Sequence, residues 1–322
     1  MKNKVQVSVC MITYKHESFI VQAIESILNQ KTNFDYELII SNDASSDRSD
    51  QLIKTIKNSH PEGHRITYFY QSDNLGMHQN FIFALGQCQG KYIALCEGDD
   101  YWIDHNKLQR QVDFLESHPD YEVCFTNISI VNETGELLKE KLITDDRKDI
   151  YTEKDMPIWS PTLTRVFKNR DFSEVLKSAP GLDTLMLTYQ SKFGKIKFLN
   201  EVTGSYRLHK EGIYSSKSDA LKKQHIIETH FECLKIIDKK FLLRYFGMIL
   251  KKALELKRLD VKMYRKNRIN IIQNYHRYKP ELGLINRIKF KLGVALLNSP
   301  MASKFIAFDK LVFKFLNKFF IY

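Results

Sequence analysis

Lys91-Tyr92-Ile93-Ala94-Leu95-Cys96-Glu97-Gly98-Asp99-Asp100-Tyr101-Trp102 is a strand-like apolar run that ends in three carboxylates within four positions. A strand rising through a core delivers its last residues to the edge of a sheet, and in open α/β sheets ligands bind at the carboxyl ends of the strands. Carboxylates packed this closely repel one another unless a cation compensates them. Hard oxygen ligands suit Mg²⁺ or Mn²⁺, and Mg²⁺ is commonly held by one or two carboxylates together with substrate phosphates. Taken by itself, the run also reads as a solvated acidic turn.

Upstream of this run the pattern alternates. Val5 to Thr13 is a β-rich stretch, and Glu17 to Gln30 places Ile20, Ile24, Ile27 and Leu28 at helical spacing. Tyr36 to Ser41 predicts a second strand, closed by the polar turn Asn42-Asp43-Ala44-Ser45-Ser46-Asp47. A helix over Gln51–Asn58, a strand over Arg65–Gln71 and a helix from the turn at Ser72–Gly76 to about Cys88 complete the series. Such alternation predicts a parallel sheet with helices on both faces. From about 120 to 215 the pattern loosens: a strand over Glu122–Val131, a turn at Asn132–Gly135 and a helix over Asp183–Ser191 are readable. From about 219 onward the sequence reads as helices.

The chain has 322 residues, 43% of them hydrophobic and 27% charged, which is ample for a core and argues against long disordered regions. Its net charge of +11 is unevenly spread. Residues 221–322 hold 23 Lys and Arg against 7 Asp and Glu, leaving 26 basic and 31 acidic residues in 1–220. The two parts are expected to do different jobs. Five scattered cysteines without a CxxC pair predict buried thiols in a reducing compartment rather than a disulfide framework or a zinc site. No apolar stretch has the ~18 residues of a membrane span, and the N-terminus is too short and polar for a signal peptide, so a cytoplasmic location is expected.

Four motifs in order, Val7–Lys15, Glu37–Asp47, Asp73-Asn74-Leu75-Gly76 and Glu97-Gly98-Asp99-Asp100, resemble those of family 2 glycosyltransferases over residues 5–215. The resemblance implies a GT-A fold: α/β, Rossmann-like, a mostly parallel sheet flanked by helices, here with a C-terminal helical extension. The expected domains are a catalytic one over 1–218, with a nucleotide-binding half to about 103 and an acceptor half over 104–218, and a basic helical region over 219–322. It also implies an inverting, metal-dependent transfer of a sugar from a nucleotide-sugar, most simply a UDP-sugar, to a hydroxyl of a glycan or lipid-linked acceptor. The cofactor would be Mn²⁺ or Mg²⁺.

By the same resemblance Thr13, Tyr14, Asp43, Glu97, Gly98 and Arg207 face the nucleotide, and Asp99 and His209 hold the metal. Stacking on Tyr14 tolerates any base, whereas a carboxylate acceptor at Asp43 selects one with an N–H donor. Glu97 stands where the family's D-x-D motif has its ribose-side aspartate, with a longer arm. Asp183, in Pro180-Gly181-Leu182-Asp183, matches the family's base at a helix start, a position that an N-capping Asp would also satisfy. Arg207 and His209 come from Tyr206-Arg207-Leu208-His209, which resembles the family's Tyr-Arg-x-His element. Asp100, Trp102 and Trp159 are candidates for the acceptor side or for support, with core packing the simpler role for Trp102.

In the basic region, Phe305, Phe308, Val312, Phe315 and Phe319 form one stripe and Lys310, Lys314 and Lys318 another. This pattern suits an anionic membrane surface on the inner face of the cell membrane, or docking on the catalytic domain. No nucleic-acid reader motif is present. A nucleotide- or membrane-binding subunit without catalysis is the alternative from another class. A nucleotidyltransferase would want a glycine-rich phosphate loop after the first strand, and Thr13 to Ser18 has none.

Overall fold

The computed structural model describes residues 5–175, 180–210, 212, 217–299, 314, 316 and 318. The chain divides into two compact units. The first comprises Met1–Thr152, Trp159–Leu176 and Phe193–Lys210, and the second Glu153–Ile158, Lys177–Lys192 and Glu211–Tyr322.

The first unit opens with β1 (Val7–Thr13), α1 (Ile20–Leu28), β2 (Tyr36–Asn42), α2 (Ser49–Ser59), β3 (Ile66–Tyr70), α3 (Met77–Gln87) and β4 (Tyr92–Leu95). It continues through β5 (Tyr101–Trp102), α4 (Lys107–Ser117), β6 (Tyr121–Val131), β7 (Leu137–Lys139), β8 (Ile150–Tyr151), β9 (Val166–Lys168) and, after an excursion into the second unit, β10 (Lys195–Arg207). One sheet holds them in the order β3-β2-β1-β4-β9-β6-β10-β5, with β7 on β6 and β8 on β10. β1 pairs in parallel with both β2 and β4, and β2 with β3. β9 runs antiparallel to both β4 and β6, so β6 points the same way as β4, and β10 is parallel to β6. The carboxyl ends of β1, β2, β4, β6 and β10 therefore share one edge of the sheet.

Burial follows from this topology. Strands covered on both faces read as continuous apolar runs, and all eleven positions of β6 are buried. α1 presses Ile20, Ala23, Ile24, Ile27 and Leu28 into the core, each large side chain contributing about 1.5–3 kcal/mol of burial. α1 starts at Ile20 rather than at Glu17 because the preceding residues are tied to the β2–α2 loop. Lys15 N–H donates to Ser45 Oγ (2.9 Å), His16 N–H to Ser49 Oγ (3.1 Å) and Glu17 N–H to Asp47 Oδ2 (2.9 Å). Lys15 itself takes a left-handed conformation, φ 57°.

β9 and β10 lay in the stretch where the sequence pattern loosens. β10 changes register against β6 between Leu199 and Val202 and again between Val202 and Gly204. Each irregularity breaks the period-2 alternation by which a strand is recognised. All five cysteines are free and buried.

The second unit contains α5 (Leu182–Gln190), α6 (Asp219–Cys233), α7 (Leu242–Leu259), α8 (Val261–Tyr278) and α9 (Leu284–Asn298). α7 is its central helix, burying Tyr245, Phe246, Ile249, Leu250, Ala253, Leu254 and Leu256. Two helix starts carry side-chain caps: Ser218 accepts from Leu221 N–H and Asp260 from Met263 N–H. The rings of Tyr275 on α8 and Phe290 on α9 stack at 4.0 Å. Among the described residues no helix is long and apolar enough to cross a membrane. Phe305, Phe308, Lys310, Val312, Phe315 and Phe319 lie outside the described residues, so the stripe that they form in sequence has no structural counterpart here.

Candidate active site

The shared carboxyl edge collects most of the residues singled out above. Thr13 ends β1 opposite Asn42, which ends β2, and Asp43 N–H donates to Thr13 O (2.9 Å). Beyond β4, Gly98 N–H donates to Ile12 O (3.0 Å), which lays the acidic run against the end of β1. A Cβ on Gly98 would come within 2.8 Å of Thr13 Oγ1 and 3.0 Å of Ile20 Cδ1, so the position requires glycine. The run is held on its other side by β5, which pairs antiparallel with β10 through Trp102↔Gly204 and Tyr101↔Ser205.

Two imidazoles converge on one carboxylate oxygen. His209 Nε2 lies 3.1 Å from Asp99 Oδ2, and His16 Nε2 lies 3.8 Å from the same atom. The Phe19 ring packs against His209 with centroids 5.0 Å apart, and the two imidazoles meet edge to face at 6.1 Å. Burial alone would raise the Asp99 pKa, but the hydrogen bond from His209 and the charge of His16 outweigh it and hold the carboxyl below its ordinary value. Asp100 behaves in the opposite way. Burial, then the charges of Asp99 and Glu97, push its carboxyl well above the ordinary value, although Arg207 N–H donates to its Oδ1 at 2.8 Å. Neighbouring carboxylates with oppositely displaced pKa values are characteristic of functional sites.

Arg207, expected to face the nucleotide, is held by acceptors from several elements. It is 4% exposed, and its guanidinium donates to Asp99 O (3.1 Å), Glu133 O (3.2 Å) and Gln22 Oε1 (2.5 Å). The guanidinium carbon lies 4.8 Å from the Phe19 ring centroid and 5.2 Å from that of Tyr101. It clasps the backbone of the acidic run to β10, α1 and the β6–β7 turn.

Tyr14 is 39% exposed, with Lys15 Nζ 5.2 Å from its ring centroid. Asp43 is buried and gives Oδ1 to Leu75 N–H at 2.7 Å, bringing the Asp73–Gly76 motif to the same edge. Glu97 is half-buried. Trp102 is in the core, its Nε1–H donating to Leu163 O (2.7 Å) and its ring lying 4.0 Å from the ammonium of Lys107. Trp159 is exposed. Asp183 belongs to the second unit, in the first turn of α5, where Gly181 and not Asp183 is the N-cap residue. Asp183 is thus not the N-cap of α5, and among the described residues no side chain caps that helix start.

His16 was not among the candidates drawn from the sequence. The signal was its place, three residues past the end of the strand paired with the one that delivers the acidic run.

The residues present fit a divalent cation. A carboxylate and an imidazole 3.1 Å apart match two neighbouring ligands on an octahedral ion with ~2.1 Å bonds. Among the described residues no group of three or more His, Cys, Asp or Glu side chains has metal-holding geometry, so a cation held by Asp99 and His209 would need further ligands from substrate oxygens or water.

The sequence profile described as glycosyl transferase family 2 matches residues 8–174. The chain belongs to this family. As a family 2 glycosyltransferase it is similar to an uncharacterized protein of Mycobacterium bovis, 31% identical over 65% of this chain and 60% of that protein. The chain thus spans less than two thirds of that relative's length. Its fold is similar to that of S. aureus TarS 1–349 in complex with UDP-GlcNAc, with a TM-score of 0.65, 16% identity, and coverage of 98% of this chain and 92% of the other. It is also similar to the mannosyltransferase PcManGT of Pyrobaculum calidifontis in complex with GDP-Man and Mn²⁺, with a TM-score of 0.56, 14% identity, and coverage of 98% and 87%. The GT-A fold implied by the motifs is the fold observed.

Proposed function

We propose that this family 2 glycosyltransferase moves a sugar from a UDP-sugar to a hydroxyl of a glycan or lipid-linked acceptor, with inversion at the anomeric carbon. The observation that carries this reading is the convergence of His209 and His16 on Asp99 Oδ2, at the edge that also bears Tyr14 and Asp43. Tyr14 offers an exposed ring for the base, and Asp43, with Oδ1 given to Leu75, accepts the base N–H at its second oxygen. Asp99 and His209 hold Mn²⁺ or Mg²⁺, which when bound supplies positive charge to the leaving diphosphate. Asp183 takes the proton of the acceptor hydroxyl as that oxygen bonds to the anomeric carbon. The bond from that carbon to the diphosphate oxygen breaks, and its electron pair leaves with UDP.

Release of UDP from UDP-GlcNAc, UDP-glucose and UDP-galactose, measured with Mn²⁺ and with EDTA, tests the proposal. Metal-dependent release that is lost in Asp183→Asn, and that needs more metal in Asp99→Asn, is expected. Release of equal rate in EDTA overturns the metal role, and a fully active Asp183→Asn overturns the base.

A further inference from the structure

The start of α5 has an unusual anchor. Gly181, its N-cap, has no side chain with which to cap the helix, while its carbonyl accepts from Thr184 N–H and Leu185 N–H, both at 3.1 Å. Gly181 N–H is taken by a side chain of another helix, donating to Thr229 Oγ1 of α6 at 2.9 Å. The same hydroxyl donates to His225 O at 2.7 Å, one turn back on α6, so both its proton and a lone pair are committed. Thr229 is 3% exposed, and its β-branched side chain is restricted at χ1. The approach is close enough to exclude a side chain on the loop: a Cβ on Gly181 would lie 2.8 Å from Thr229 Oγ1 and 3.2 Å from Thr229 Cγ2.

A second tie lies one turn further along. Thr188 Oγ1 donates to Thr184 O (2.9 Å), and Cys233 Sγ of α6 lies 3.7 Å from Thr188 Oγ1. α6 therefore fixes both the entry and the first turns of the helix that carries Asp183. We infer that Thr229 is a positioning residue for Asp183: the C-terminal helical region, beginning with α6, sets the placement of the base rather than serving only as an appendage. This inference rests on the reading of Asp183 as the base. A displacement of the order of 1 Å at a reacting group costs up to about a hundredfold in rate.

The test uses the full chain with Thr229→Val, which keeps the shape and removes the acceptor, Thr229→Ser, which keeps the hydroxyl, and Gly181→Ala, which perturbs the same contact from the loop side. UDP release from UDP-GlcNAc with Mn²⁺ is expected to lose at least about tenfold in kcat in Thr229→Val and Gly181→Ala, with KM for the donor unmoved, and to recover in Thr229→Ser. Deuterium uptake at the amides of residues 180–187 is expected to rise in Thr229→Val, with uptake over 92–102 unchanged. Wild-type uptake over 180–187 in Thr229→Val overturns the inference, as does wild-type kcat in that variant when Asp183→Asn is inactive. An active Asp183→Asn overturns the base assignment instead, and the uptake measurement still decides whether Thr229 holds α5.

Discussion

Replacing Arg207 by lysine separates two roles that the same residue type can fill. A guanidinium gripping a diphosphate would sit open at the sheet edge, and its loss would weaken donor binding. Arg207 instead is 4% exposed and spends three N–H groups on Asp99 O, Glu133 O and Gln22 Oε1. Hydrogen bonds from a charged donor contribute about 1.5–3 kcal/mol each. Lysine presents a single ammonium to acceptors arranged for a planar fork, so it can recover one of the three, and a net loss of about 3–6 kcal/mol follows. With a urea m-value of ~2–3 kcal/mol per molar, the unfolding midpoint of the first unit falls by about 1–3 M. Trp102 lies in that unit's core and reports the transition by fluorescence. UDP affinity, measured by calorimetry below the transition, should change far less than tenfold. An unchanged urea midpoint together with a tenfold or greater loss of UDP affinity would refute the clasp and return Arg207 to the diphosphate.

Gly98→Ala forces a methyl to within 2.8 Å of Thr13 Oγ1 and should cost about 1–3 kcal/mol in thermal or urea unfolding, with UDP release falling as the acidic run shifts off β1. Asp99→Asn should leave the fold intact by circular dichroism and raise the Mn²⁺ concentration for half-maximal UDP release at least tenfold; an unaltered Mn²⁺ titration would count against the ligand assignment. Lys107, fully buried with Nζ lacking a hydrogen-bond partner, has its pKa lowered to about 7 by burial. Between pH 7 and about 10.5 the unfolded chain holds a proton that the folded chain has lost, so this group makes stability rise with pH across that window. The difference in urea midpoint between wild type and Lys107→Met should therefore shrink from pH 7 to pH 9.5, and a constant difference would contradict the burial argument.

Much of the first unit was legible because its strands are buried on both faces and its first helices carry clean apolar stripes. β1, β2 and β4 appear within a few residues of their expected limits, and the acidic run stands where a strand end should put it. Strand order also placed Tyr14, Asp43 and Asp99 on one edge, since parallel strands deliver their carboxyl ends together, whereas His209 was found only through its resemblance to a family element. What escaped was tertiary. β10 is interrupted three times by register shifts, so its alternation does not survive in the sequence. The burial of Arg207 depends on Gln22, Asp99 and Glu133, which no local pattern connects to it. His16 acquires meaning only when Asp99 arrives from another strand. The sequence divided the chain at about 218, and the compact unit that holds the helical extension also includes α5 and Asp183, a grouping that no local pattern announces.

In the turn after β1 three consecutive amides, those of Lys15, His16 and Glu17, are held by Ser45, Ser49 and Asp47 in turn. A segment whose donors already have acceptors is not waiting for a ligand to order it. Its conformational entropy was surrendered during folding, so on the role proposed for Tyr14 an arriving nucleotide would meet a preorganised platform and lose little affinity to loop ordering. Capture of the base at this end should be fast and limited mainly by diffusion and orientation.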